Sequence, residues 1–177
     1  MEYLKHEAAS GRSIMFVSTK PHAASIIQKA AKEANSPYVI FRWIPGLITN
    51  FSTIKRRVKH FNKLVAEEKE GGLDKYTKKE ASKMKKEIVK LEDAFGGIKD
   101  MEKLPDIVFV ADVVRDKIVV TEARKKGIKV VAITDSNADP EGVDYPIPAN
   151  DDAISSLDYL IGKAKEAVLE GKGKVKK

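Results

Sequence analysis

The sequence predicts an α/β fold, a parallel sheet flanked by helices and interrupted by an antiparallel helical hairpin. Short apolar runs at residues 14–17, 38–41, 107–111 and 129–133, with a weaker one at 143–147, are apolar on both faces, as buried parallel strands are. Helical segments lie between them, and strand, helix, strand in repetition is the mark of a parallel sheet. The stretch 49–97 breaks that rhythm with two long, narrow apolar seams and a concentration of Lys and Arg.

Taken in order, Pro21 suits the first turn of a helix that follows the strand at 14–17. Ala23, Ile26, Ile27, Ala30, Ala31 and Ala34 then form its apolar stripe. In the interrupted region Phe51, Ile54, Val58, Phe61 and Leu64 recur every three or four residues, as do Ala81, Met84, Ile88, Leu91 and Phe95. Gly71-Gly72 separates the two seams, and Thr77-Lys-Lys-Glu80 is a capping box for the second helix. Two seams of this kind are most economically satisfied by facing each other as a coiled-coil hairpin. Farther on, Gly127 stands where a C-cap glycine ends the helix containing Thr121-Glu-Ala-Arg-Lys-Lys. The last helix carries Ile154, Leu157, Ile161, Ala164 and Val168, with Asn150 placed to cap it and Asp151 and Asp152 suited to its positive end.

The expected organisation is a body of residues 1–48 and 98–171, an inserted basic hairpin at 49–97 and a disordered basic tail at 172–177. A chain of 177 residues, 42 % of them hydrophobic, can build one core or somewhat more. It has no cysteine, so disulfides and thiolate metal sites are unavailable. Its three histidines, His6, His22 and His60, lie far apart, which argues against a metal cluster. No apolar run approaches the ~18 residues of a membrane span, and the N-terminal residues lack a secretory h-region. These features predict a soluble intracellular protein with no membrane, metal or cofactor partner.

Charge supplies the strongest functional signal. The chain carries +7, and residues 50–90 hold all of that excess, 13 basic residues against 6 acidic. Clustered Lys and Arg gain free energy by releasing counterions condensed on phosphates, so a polyanionic partner is expected. The hairpin surface displays Lys55, Arg56, Arg57, Lys59, Lys63, Lys78, Lys79, Lys83, Lys85, Lys86 and Lys90. A solvated charged face is the plainer reading of a lysine-rich helix, but Arg56-Arg57 between Lys55 and Lys59 self-repels unless something neutralises it. Just before the hairpin, Arg42 and Trp43 are candidates to stack on RNA, although Trp43 fits better as a core anchor at the hairpin base.

An enzymatic reading places ligands beyond the carboxyl ends of the strands. Lys20, Asp112 and Asp135 stand there and would be the residues of a nucleotide or sugar-phosphate enzyme. Yet Ser18-Thr-Lys-Pro21 has none of the glycines of a phosphate loop, and neither GxGxxG nor GxxxxGK[ST] occurs. Asp112 is better explained as a helix cap, and Asp135, Asn137 and Asp139 as organisers of the turn ending at Pro140. His22 is expected to be a partly exposed helix residue and His60 a member of the basic face. A third possibility is an interaction protein that uses the hairpin as a coiled-coil arm.

Several segments carry a family resemblance. Phe41-Arg-Trp-Ile-Pro-Gly-Leu-Ile-Thr-Asn-Phe51 with Ser-Thr-Ile54, Phe95-Gly-Gly-Ile-Lys-Asp-Met101 and Leu104-Pro-Asp-Ile-Val-Phe109 are the first three. Glu122-Ala-Arg-Lys-Lys-Gly-Ile128, Asp135-Ser-Asn-Ala-Asp-Pro140 and Val143-Asp-Tyr-Pro-Ile-Pro-Ala-Asn-Asp-Asp-Ala153 complete them. Together, in this order, they resemble the bacterial and organellar small-subunit ribosomal protein number two over nearly the whole chain. The resemblance implies a Rossmann-like, flavodoxin-like α/β domain with a protruding helical hairpin and no nucleotide cofactor. It also implies a structural constituent of the small ribosomal subunit, on a cytoplasmic or organellar ribosome. Such a protein binds small-subunit ribosomal RNA, sits among neighbouring small-subunit proteins and helps recruit the large messenger-binding protein. Members usually have several dozen residues, with an early strand, before the counterpart of 14–19, whereas here Met1 stands at the helix just ahead of it. Pro45-Gly46, Asp112-Val113 and Ala149 replace the family's usual glycine pair, Asp-Pro and glycine.

Overall fold

The computed structural model describes residues 1–175. Five strands, β1 (Ile14–Val17), β2 (Tyr38–Val39), β3 (Ile107–Val110), β4 (Lys129–Thr134) and β5 (Tyr145–Pro148), form one sheet in the order β2-β1-β3-β4-β5. Every pairing is parallel, with Phe16 beside Phe109 and Phe109 beside Val131 at its centre. This is the flavodoxin-like order, a Rossmann-like arrangement whose direction reverses between β1 and β3.

Side chains alternate across each strand, so the sheet has two apolar faces. Ile14, Phe16, Ile107, Phe109, Val131 and Ile133 face a core closed by α1 (Glu2–Ala9), α2 (Pro21–Glu33) and α6 (Ile154–Val175). Met15, Val17, Val108, Val110, Val130 and Ala132 face the other, closed by α5 (Lys117–Lys125) and the roots of α3 (Phe51–Lys69) and α4 (Lys78–Phe95). Helices α3 and α4 are the expected hairpin. His60 lies 3.7 Å from Glu87 and Tyr76 donates to Glu67 at 3.1 Å, a register that runs antiparallel. Ile54, Val58, Phe61 and Leu64 of one seam and Ile88 and Phe95 of the other are buried in the same core as the sheet.

Local signals read from the sequence reappear as geometry. The capping box forms in full, the Glu80 N–H donating to the Thr77 hydroxyl, while the Thr77 hydroxyl (2.7 Å) and N–H (3.0 Å) donate to the Glu80 carboxylate and hold it below its ordinary range. Pro21 begins α2, and Gly127, at φ +67°, ends the turn after α5 in the left-handed conformation glycine adopts freely.

Four expectations are corrected. Strand β2 stops at Val39 instead of 41, because β1 turns away after Val17 towards α2 and leaves Ile40 and Phe41 without a partner. Asn150 does cap a turn, its side-chain oxygen accepting from the Asp152 and Ala153 N–H groups at 2.8 Å, but α6 itself begins only at Ile154. Asp151 and Asp152 do not serve the helix end, since both carboxylates are drawn to Lys20. The tail expected from 172 is helical as far as Val175, with the Lys172 ammonium donating to the Ala34 and Asn35 carbonyls; Lys176 and Lys177 lie outside the described residues.

Gly97 sets how closely the end of the hairpin approaches the sheet. A Cβ there would overlap the Tyr38 carbonyl oxygen of β2. We predict that Gly97→Ala costs about 1–3 kcal/mol, the usual range for overpacking, read as a lower urea midpoint with an unchanged m-value.

Candidate nucleic-acid interface

The hairpin is aimed by the loop that precedes it. Residues 43–49 carry several backbone donors into a region where water is scarce, and one carboxylate satisfies them. Glu122 of α5 accepts from Trp43 Nε1 (3.2 Å), the N–H groups of Gly46 (2.7 Å), Ile48 (3.1 Å) and Thr49 (3.0 Å), and the Thr49 hydroxyl (3.1 Å). Burial opposes its ionisation, but these donors outweigh burial and hold the carboxyl below the ordinary glutamate value. Trp43 is only 4 % exposed and packs with Leu47 and Ile48, so it is the core anchor and not a surface stacking residue.

Beyond this root the cationic residues fall into stripes. Lys55, Lys59 and Lys63 recur at four-residue intervals on α3 with Arg56 beside them. Lys79, Lys83, Lys86 and Lys90 recur at intervals of four, three and four on α4, and Lys78 and Lys85 flank them. Arg57 lies on the edge of α3 nearer α4, one turn from His60. Lys55 is half-buried and its ammonium donates to the Glu102 carbonyl at 2.7 Å, while Asn62 donates to the Lys99 carbonyl at 3.1 Å. These two bonds tie α3 to the loop after α4. Arg42, Arg56, Arg57, Lys59, Lys63, Lys78, Lys79, Lys83 and Lys86 are exposed and form no ion pair among the described residues. Their charge is unspent.

The crevice beyond the strand ends is different. Here the Lys20 ammonium lies 3.1 Å from Asp112, 2.8 Å from Asp151 and 2.7 Å from Asp152, and donates to the Asp151 carbonyl at 2.8 Å. Burial works against its charge, but the three carboxylates raise its pKa far above that of a free lysine. Asp112 also accepts the Arg115 N–H at 2.8 Å and so caps the turn ahead of α5. Asp135 accepts the N–H groups of Ser136 and Asp151, and Asp139 that of Glu141, as turn organisers do. Asp116 takes the Thr19 N–H and hydroxyl, and its pKa is raised because burial exceeds what those bonds return. The strand-end residues that invite an enzymatic reading therefore consume one another. His22 is half-buried, as expected, and His60 is exposed on the hairpin.

Sequence reasoning singled out neither Glu122 nor the Asp151–Lys20–Asp152 grouping. The one signal for Glu122 is indirect: the 43–49 loop needs an acceptor that its own residues do not supply.

A Rossmann-like body whose strand-end crevice is filled by its own ion pairs, bearing a helical arm of exposed cations, defines an α/β protein with a basic hairpin. The chain belongs to the family described as ribosomal protein S2, which matches residues 1–171. Among relatives named small ribosomal subunit protein uS2, that of Helicobacter hepaticus is 44 % identical over 173 residues, covering 98 % of this chain and 66 % of its own length. Those of Synechocystis and Dictyoglomus thermophilum are each 43 % identical over 171 residues, covering 97 % of this chain and 64 % and 70 % of theirs. The chain thus spans about two thirds of the relatives it matches. Among the described residues no helix is long and apolar enough to cross a membrane.

Replacing Glu122 by Ala strands the Trp43 indole and three loop N–H groups. The expected loss is about 3 kcal/mol or more, accompanied by a red shift in the emission of this sole tryptophan. The stability contributed by ionised Glu122 is complete above the ordinary glutamate pKa and lost as pH falls through its depressed value. Urea midpoints measured across that acid range should fall less steeply in Glu122→Gln than in the native chain.

Proposed function

We propose that this chain is a structural, non-catalytic constituent of the small ribosomal subunit, binding small-subunit ribosomal RNA through its hairpin. The observation that carries the reading is the set of exposed, unpaired Lys and Arg side chains on α3 and α4, and membership of the ribosomal protein S2 family supports it. Arg42, Lys55, Arg56, Arg57, Lys59, Lys63, Lys78, Lys79, Lys83 and Lys86 contact phosphates and fix the protein's position on the RNA. Residues 1–48 and 98–171 form the body, and residues 49–97 the RNA-binding arm. The body offers its surface to neighbouring small-subunit proteins, including the large messenger-binding protein, in a cytoplasmic ribosome. The closed Lys20 crevice supports the non-catalytic reading, because its ammonium is already paired with three carboxylates, whose charge opposes an entering phosphate.

Charge reversal at Arg56, Arg57 and Lys59 to Glu tests the proposal. These side chains are exposed, so the unfolding midpoint should stay near that of the native chain. Affinity for small-subunit ribosomal RNA should fall, and the slope of log affinity against log salt should flatten by about 3, roughly one unit per lost phosphate contact. Unchanged incorporation into small subunits, with the fold intact, would remove the hairpin from the interface.

A further inference from the structure

We infer that the exposed ring of Phe41 and the cavity beside it form a site for one unstacked nucleobase of the bound RNA. The inference rests on the RNA-binding reading above. Two aromatics flank Arg42 and meet opposite fates. Trp43 is 4 % exposed and spends its N–H on Glu122, whereas Phe41 is 67 % exposed at the root of the hairpin, where β2 has left the sheet. Isolated exposed apolar residues need no explanation. This one borders a cavity of about 180 Å³ lined by Gln28 of α2, Tyr38 of β2 and Glu92, Asp93 and Gly96 at the end of α4. Such a volume suits a single planar ring system and is too small for a peptide helix of ~10 Å diameter.

The polar rim decides which part of a nucleotide enters. Glu92 and Asp93 form no ion pair among the described residues, so their carboxylates repel a phosphate and accept N–H groups from a base edge. Gln28 and Tyr38, joined by a 3.3 Å hydrogen bond, add an amide and a hydroxyl on the same side. Arg42 is exposed one residue on from the ring and supplies the cation for the phosphate left outside. The base stacks on the Phe41 face, the backbone runs over Arg42, and the lysine stripes of the hairpin continue the track. Single-stranded RNA bases are recognised in this way, by aromatic stacking combined with contacts to their polar edges. The competing occupant, an apolar side chain of a neighbouring protein, would gain nothing from the carboxylates.

The test uses the full chain and small-subunit ribosomal RNA, titrated at several salt concentrations with Phe41→Ala, Phe41→Leu and Phe41→Trp. Because the side chain is exposed, the urea midpoint reports whether the fold is intact in all three variants, and Trp43 emission does so in Phe41→Ala and Phe41→Leu. Phe41→Ala should weaken binding roughly 5- to 100-fold, the worth of one stacked base, without changing the salt slope. Phe41→Trp should restore affinity, Phe41→Leu should not, and ultraviolet cross-linking should join a nucleotide to the peptide that carries position 41. If Phe41→Ala binds like the native chain, or Phe41→Leu restores affinity as well as Phe41→Trp does, the base site is wrong and the hairpin interface stands. If the native chain binds no RNA at any salt, both readings fall together.

Discussion

One carboxylate holds the arm to the body. Glu122 sits on α5, over the sheet face that the hairpin shares, and receives the indole and backbone donors of the loop leading into α3. Without it, those donors would need water in a region where Trp43, Leu47 and Ile48 exclude it. Helix α3 has 19 residues, so it reaches about 28 Å from this root. A tilt of ~10° at the loop would move its far end by on the order of 5 Å at that length, enough to displace the lysines carried there by more than a hydrogen-bond length. Satisfying a few N–H groups at the root therefore sets where the distant charges stand.

The same fold in other proteins keeps an open crevice where the strand order reverses. Here Lys20 follows β1 and Asp112 follows β3, on the two sides of that reversal, and the two are paired. Asp151 and Asp152 complete the closure from the segment before α6. The ammonium's charge is kept by the carboxylates in spite of burial, and removing it would leave them uncompensated, which is far more destabilising than never having had the pair. The site that elsewhere binds a cofactor ties the first and last thirds of this chain together. Fold leaves function open, and here the side chains at the strand ends are paired with one another.

How much of this the sequence revealed depended on range. Periodicity reports which face of an element is buried, and it placed the strands and both hairpin seams because those facts are local to each segment. The capping box of Thr77 and Glu80 and the glycine at 127 were legible for the same reason. Glu122 was not, because its partners lie 73 to 79 residues away, and the Lys20 contacts with Asp151 and Asp152 span 131 and 132. The early end of β2 was hidden as well, since Ile40 and Phe41 have strand composition and lack only a neighbouring strand to pair with. Of Phe41 and Trp43, both beside Arg42, local context favours the larger as the anchor but says nothing of the smaller one's exposure.

The hairpin joins two demands that usually conflict. A helix studded with lysines repels itself, and a seam only one residue wide per turn supplies little apolar area to offset that repulsion. The structure resolves the conflict by placing Ile54, Val58, Phe61, Leu64, Ile88 and Phe95 in the same core as the sheet, so that the body contributes to holding the arm. Beyond the buried part of the seam, Val89 on the outer surface is 62 % exposed among lysines. Anchoring and charge presentation are thus assigned to different residues of the same two helices. Neutralisation of the exposed charges by a polyanion would relieve the repulsion without touching the buried seam. An arm built this way would gain stability on binding any polyanion, and the gain would be largest at low ionic strength, where its own charges are least screened.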